Sequence, residues 1–225
     1  MKTNIALLIY SWDNSSILWK TTVTGLHKYW PEIPYPIYWV TNQKDAPLGT
    51  TIKTGTDTNW GVMMQKALAI IPEKVVMWTC EDFWLTGPID NDIIRKYADY
   101  IKNDQADYIK LTPSYEGTID APCDSSLQVI PEGAIYRTSL GPSIWNKDLF
   151  QQIIEPSDTV WHFENHSAKR LSPEHRMYAS KGRYFLTPVI DGTGNYKEQI
   201  QRQGKVVDEM AKLYCQREGF EDYDI

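Results

Sequence analysis

Two adjacent acids, Glu81 and Asp82, are the residues most suited to chemistry in this chain. They follow the apolar run Val75-Val76-Met77-Trp78 and precede Phe83, Trp84 and Leu85. Such a run, bounded by turn signals, reads as a central strand covered on both faces. Carboxylates between apolar blocks are costly unless a metal ion, a hydroxyl-rich ligand or a Lys/Arg satisfies them. In open α/β sheets, ligands sit outside the carboxyl ends of the strands, which is where this pair emerges. The plain alternative is a solvated strand end or a cap for the next turn. Adjacent side chains alternate along an extended strand, so the two acids cannot easily do one job. Asp82 is the better ligand for a hard divalent cation, Mn2+ or Mg2+, with Glu81 beside it as a second ligand or a hydroxyl acceptor.

A second concentration of reactive groups is Trp161-His162-Phe163-Glu164-Asn165-His166. An aromatic frame can raise the pKa of Glu164 and suit it to take a proton from an attacking hydroxyl. His162 or His166 could serve instead. Each also has a structural reading: Glu164 as a helix cap or ion-pair partner, the histidines as structural or exposed residues.

These groups need elements to position them. Residues 4–10 read as a first strand, with an apolar run too short for a signal peptide and no small-residue cleavage site. Tyr10-Ser11-Trp12-Asp13 opens a polar loop and then a helix, with Asp13 as a possible cap. Residues 37–41 form a second strand closing on Asn42. A strand–helix–strand unit implies parallel strands and a right-handed crossover. Asp13 and Asn42 therefore fall on the same edge as the paired acids. A short strand is expected near 51–53, and Asn59-Trp60-Gly61 opens a helix striped by Met64, Leu68 and Ile71. Asp90 caps a helix with Ile93, Ile94, Tyr97 and Ile101 on its apolar face. Residues 106–111 make another strand. Residues 114–126 are expected to be a mobile polar loop over the site. Short strands are expected at 134–140 and 142–145, a helix at 147–154, a short helix around 174–176, an edge strand at 184–190 and a tail helix at 206–214.

The chain has 225 residues and a formal net charge of -6, which fits one domain and argues against nucleic acid as a partner. No apolar run is long enough for a spanning helix. Three scattered cysteines, Cys80, Cys123 and Cys215, give neither a zinc site nor a disulfide framework, and a reducing cytoplasm is the expected home. The nine tryptophans and fourteen tyrosines are numerous. Aromatic faces suit flat bases and the C–H faces of sugars, although core packing is the default for any one of them.

Strand-end acids plus a base are what sugar transfer from a nucleotide diphosphate needs. A cation on the leaving diphosphate offsets its growing charge, and a base relieves the acceptor hydroxyl of its proton. Glu81 then has a ribose hydroxyl as its other possible partner. The chain resembles bacterial GT-A-type glycosyltransferases of a small group associated with polysaccharide biosynthesis. The resemblance rests on YSWD (Tyr10 to Asp13), residues 28–42, the NWG helix, residues 75–90 with EDFWLTGPID, residues 106–113, residues 136–150 and WHFE (Trp161 to Glu164). It implies a GT-A-like, Rossmann-like α/β/α sandwich with a mostly parallel central sheet, one domain over 1–225. Residues 1–113 are the implied donor-binding half, and 114–225 the acceptor side with a C-terminal helix. It places the nucleotide-sugar donor on Tyr10, Trp12, Asp13, Asn42, Asn59, Trp60, Glu81 and Asp82. The glycan or other hydroxyl acceptor falls to Trp84, Tyr136, Trp145, Trp161 and His162, with Glu164 as the base of an inverting reaction. The usual acidic motif is Asp-x-Asp and here it is Glu-Asp-Phe. Lys, Arg or a helix N-terminus on the diphosphate is thus an alternative to the cation. Two other readings stay open. A nucleotidyltransferase would want a Gly-rich basic loop after the first strand, which residues 10–16 lack. A non-catalytic carbohydrate-binding module would need no convergent acids.

Overall fold

The computed structural model describes residues 4–56, 59–114, 116–117, 119–184, 201–202, 205–206 and 214–220. A nine-stranded sheet organises them, in the order β3-β2-β1-β4-β8-β5-β9-β7-β6. Its strands are β1 (Ile5–Tyr10), β2 (Ile37–Thr41), β3 (Thr50–Lys53), β4 (Val75–Cys80), β5 (Tyr108–Lys110), β6 (Asp120–Ala121), β7 (Asp124–Val129), β8 (Ser143–Asn146) and β9 (Met177–Ser180). The pairings of β1 with β2 and β4, of β2 with β3 and of β5 with β9 are parallel. Strands β8 and β7 run against their neighbours.

Period-two alternation sorts the strand residues between two cores. Ile5, Leu7, Ile9, Val75 and Met77 pack on one face, under α1 (Trp19–Tyr29) and α3 (Asn91–Lys102). Ala6, Leu8, Val76, Trp78, Tyr108 and Trp145 pack on the other, under α2 (Trp60–Ile70), α4 (Lys147–Ile153) and α5 (Val160–His166). Caps start the helices where the sequence places them. Asn59 accepts from the Gly61 amide, and Asp90 from the amides of Asp92 and Ile93.

Four expectations are corrected. The loop expected at 114–126 is in its second half a hairpin: β6 and β7 pair antiparallel from Asp120 at the sheet's outer edge, held by burial of Ala121 and Leu127. Residues 134–140 turn instead of forming a strand, and Tyr136 has φ of 56°, the left-handed region that no strand admits. The expected helix around 174–176 gives way to a turn and then to β9, a buried four-residue strand too short to stand out by periodicity. The expected tail helix at 206–214 fails at its start, where Val206 pairs in a two-stranded ribbon. Residues 207–213 lie outside the described residues and 214–218 are helical. Of the expected strand at 184–190, all but Tyr184 lies outside the described residues.

Candidate functional site

Parallel register aligns Tyr10 with Cys80 and with Val40. The residues after them, Ser11 to Asp13, Asn42, and Glu81 with Asp82, therefore emerge together at the carboxyl edge. Glu81 is 4% exposed and Asp82 half-buried. The two acids sit in the turn that follows β4, closed by the Phe83 amide on the Cys80 carbonyl at 3.3 Å. Glu81 turns toward the loop after β1, where the hydroxyls of Ser15 and Ser11 bond it. Its backbone carbonyl accepts from Thr22 Oγ1 at 2.6 Å. Burial and then the neighbouring Asp82 push its pKa well up. Burial likewise raises Asp82 to about 6, against the pull of its own backbone amide.

Asp13 is neither a helix cap nor a free ligand. Its carboxylate accepts from the amides of Asn42, Gln43 and Lys44 at 3.0–3.3 Å, and its own amide donates to Asn42 Oδ1 at 3.0 Å. It thus clamps the β1 and β2 exit loops together. Tyr10 stacks on Trp78 with ring centroids 5.8 Å apart. Its hydroxyl and the Asn42 amide both approach Met63 Sδ, at 3.9 and 3.6 Å. Asn59 caps α2, and Trp60 packs between Trp78 and Phe163. Gly61 lies against the Glu155 carbonyl with no room for a Cβ, so α2 and the segment leading into α5 meet closely. Trp12 is half-buried in the β1 exit loop.

The far wall is α5. Thr159 caps it, Phe163 anchors it in the core and Glu164 is half-buried. Glu164 Oε1 accepts from the Leu140 amide at 2.7 Å and from Ser139 Oγ at 3.3 Å. That loop is pinned in turn: Trp78 Nε1 donates to Leu140 O at 2.8 Å and Tyr108 Oη to Ser139 O at 3.0 Å. Burial raises the Glu164 pKa, opposed by these two bonds and by Lys110. Cys80, at the end of β4, feels the charges of Asp82, Glu81 and Glu164 on top of its own burial. The two sequence clusters therefore converge on one stretch of sheet edge.

Other expected residues sit elsewhere. Trp84 and Trp145 are core residues, 1% and 0% exposed. Trp84 Nε1 bonds Thr22, and the Trp145 ring stacks on Phe150 at 4.5 Å. Neither offers a ring face to a sugar. His162 is held by Asp158 at 2.6 Å, and it lies two positions from Glu164, toward the opposite side of the helix. Trp161 is 53% exposed and three residues before Glu164, so the two are neighbours on the helix surface. Tyr136 is exposed on the loop that precedes Ser139. The sequence reading passed over Lys110, at the end of β5. Its signal was a cation interrupting the otherwise apolar strand end Tyr108-Ile109-Lys110-Leu111.

Among the described residues, no Lys, Arg or His lies within ion-pair distance of Glu81, Asp82 or Glu164, and no three His, Cys, Asp or Glu side chains converge as a ready-made metal cage. Asp82 fits a cation that also takes phosphate and water ligands, the usual arrangement for Mg2+ or Mn2+ on a nucleotide. Glu81, turned to Ser11 and Ser15, fits that role less well.

No family model and no curated protein matches the chain by sequence. Its fold is similar to that of a protein described as a nucleotide-diphospho-sugar transferase from Desulfovibrio desulfuricans G20 (TM-score 0.50, 11% identity, 100% of each chain). It is similar to mannosyltransferase PcManGT from Pyrobaculum calidifontis in complex with GDP-Man and Mn2+ (0.50, 10%, 81% of this chain and 55% of that one). It is also similar to CMP:2-keto-3-deoxy-manno-octonic acid synthetase complexed with CTP (0.50, 11%, 83% and 92%). The fold is GT-A-like. Nucleotide-sugar transferases and nucleotidyltransferases share this Rossmann-like frame, and the likeness speaks to the frame alone. The chain spans only 60% of S. aureus TarS 1-349, to which it is also similar (0.47, 13%, 80% of this chain). No described helix is long and apolar enough to cross a membrane.

Proposed function

We propose that this protein transfers a sugar from a nucleotide-diphosphate donor to a hydroxyl acceptor, with inversion. The observation that carries this reading is the set of acids at the carboxyl edge: Glu81 buried, Asp82 and Glu164 half-buried, none with an ion-pair partner among the described residues. The buried Asp107 and Asp158, by contrast, are each held by an arginine, Arg176 and Arg170. The donor's nucleotide lies over the exits of β1, β2 and β4, with Glu81 toward the ribose. Asp82 is the group that would hold a divalent cation, whose chemistry is to offset charge on the leaving diphosphate. Glu164, oriented by Ser139 and Leu140, takes the proton of the attacking hydroxyl. Trp161, beside it on α5, offers the acceptor a ring face.

The β1 exit loop disfavours a nucleotidyltransferase. It brings no Gly, Lys or Arg of its own between Tyr10 and Ser16, and Lys44 Nζ, which reaches it, is bonded to Asp13 O and Ser16 Oγ. A thermal-shift screen of nucleoside diphosphates, nucleoside triphosphates and sugar nucleotides, with and without Mn2+, tests the reading. Bound diphosphate should raise Tm, by mass action on the folded state. Asp82→Asn should abolish the part of that shift that depends on Mn2+. Stabilisation by triphosphates alone would favour the nucleotidyltransferase, and none by any nucleotide would end the proposal.

A further inference from the structure

Among the described residues, the half-buried lysines and arginines have close partners with the exception of Lys110, and the deeper Arg137 donates only to His175 O, at 3.5 Å. Lys147 Nζ donates to Ile71 O at 2.6 Å. Arg170 holds Asp158 at 2.5 and 2.9 Å, and Arg176 holds Asp107 at 2.9 and 3.0 Å. Among the described residues, Lys110 has neither a hydrogen bond nor an ion pair. It stands at the last position of β5, in register with Ser143 of β8 on one side and Ala179 of β9 on the other. Alternation puts its side chain on the face of Tyr108, two residues earlier, whose hydroxyl braces the loop that orients Glu164. A half-buried ammonium with no ion-pair partner among the described residues is costly for the same reason as the strand-end acids, and such a charge is open to a ligand.

What meets it must be an anion, and the topology says which side of the reaction it comes from. Strand β8 intervenes between β4, which carries Asp82, and β5. With strands about 4.8 Å apart, Lys110 stands roughly 10 Å along the sheet from the acids that face the donor. It shares its neighbourhood with Glu164 instead: burial lowers the Lys110 pKa, and the Glu164 charge offsets part of that. We infer that Lys110 binds an anionic group, a phosphate or a carboxylate, carried by the acceptor beside the hydroxyl that Glu164 deprotonates. This deepens the transferase reading and rests on it: the acceptor would be a phosphorylated or acidic polyol or sugar, not a neutral glycan.

The test uses the full chain, with sn-glycerol 3-phosphate as anionic probe, glycerol as its neutral counterpart and uridine and guanosine diphosphates as donor-side probes, by calorimetry. The wild type should bind glycerol 3-phosphate and not glycerol. Lys110→Gln should weaken glycerol 3-phosphate at least tenfold and leave diphosphate affinity unchanged, while Lys110→Arg keeps most of the binding. Unfolding of Lys110→Gln, followed by fluorescence, should show a Tm equal to or above the wild type, because an unpaired half-buried charge is removed. Three results would overturn the inference: no glycerol 3-phosphate binding by the wild type, equal binding by Lys110→Gln, or a parallel loss of diphosphate affinity, which would put Lys110 on the donor. Absence of diphosphate binding by the wild type is a separate result, and strikes the transferase reading itself.

Discussion

The two edges of the central sheet treat buried acids in opposite ways. At the amino edge Asp107, 6% exposed, takes two bonds from Arg176, which also bonds Asp104. A cleft of about 620 Å³ opens there, between the starts of β1 and β4 and helix α3. Its charged residues are largely spoken for: Arg95 pairs with Asp92, and Lys102 with Asp99. At the carboxyl edge Glu81, Asp82 and Glu164 are bonded by hydroxyls and backbone amides, and no cation among the described residues lies within ion-pair distance. Open volume alone therefore does not mark the site. Uncompensated charge does, because folding gains nothing from leaving it so.

The sharpest way to break this contrast is to make the amino edge resemble the carboxyl edge. Arg176→Ala leaves Asp107 buried without its partner, and should cost about 3 kcal/mol of unfolding free energy. Asp82→Asn, which removes an acid with no ion-pair partner among the described residues, should cost nothing or stabilise. Urea unfolding of both variants decides. Equal losses would mean that the carboxyl-edge acids are structural too.

Glu164→Gln carries the next largest effect. Loss of the base should reduce kcat by roughly 10²-fold or more, with diphosphate affinity unchanged. The same substitution tests the electrostatics. Burial holds the folded pKa of Glu164 above its unfolded value of about 4.3. Between those two values the folded state keeps a proton that the unfolded state has released, so stability falls as pH rises through that window. Glu164→Gln should flatten that slope. Asp124 supplies the opposite sign. Burial pushes it up, but Lys96 at 2.6 Å and the Ser126 amide prevail and bring it to about 2. Its contribution is present above about pH 4 and is lost as pH falls toward its folded value, by on the order of 1 kcal/mol because Lys96 is partly exposed.

Legibility followed the length of the elements and the locality of their signals. The β1–α1–β2 unit, α2, β4 and α3 stood out because apolar periodicity and caps such as Asn59 and Asp90 are written within a few residues. Glu81 and Asp82 were readable because acids abruptly ended an apolar strand. The β6–β7 hairpin and β9 were not, since Asp124-Ser125-Ser126 and Met177 to Ser180 become strands only by pairing with residues distant in sequence. The tryptophans show the limit most clearly. Nothing local distinguishes the core ring of Trp145 from the open ring of Trp161. The first is buried because β8 runs between β4 and β5, a fact of topology. Lys110 was passed over for the same reason: whether a strand-end lysine has a partner is decided by what packs around it.

The smallest effect refines the contrast within α5 itself. Phe163 and Trp161 are two residues apart on one helix, one buried and the other 53% exposed. Trp161→Ala should leave unfolding free energy within about 0.5 kcal/mol of the wild type, as surface substitutions do. If its ring receives the acceptor beside Glu164, KM for the acceptor should rise about threefold or more while KM for the donor stays fixed, and Trp161→Phe should restore most of the loss. A change in the donor KM alone would move the ring to the nucleotide side. No change in either would leave Trp161 as an ordinary exposed aromatic, and acceptor recognition would then fall to polar groups such as Lys110 and the loop that holds Glu164.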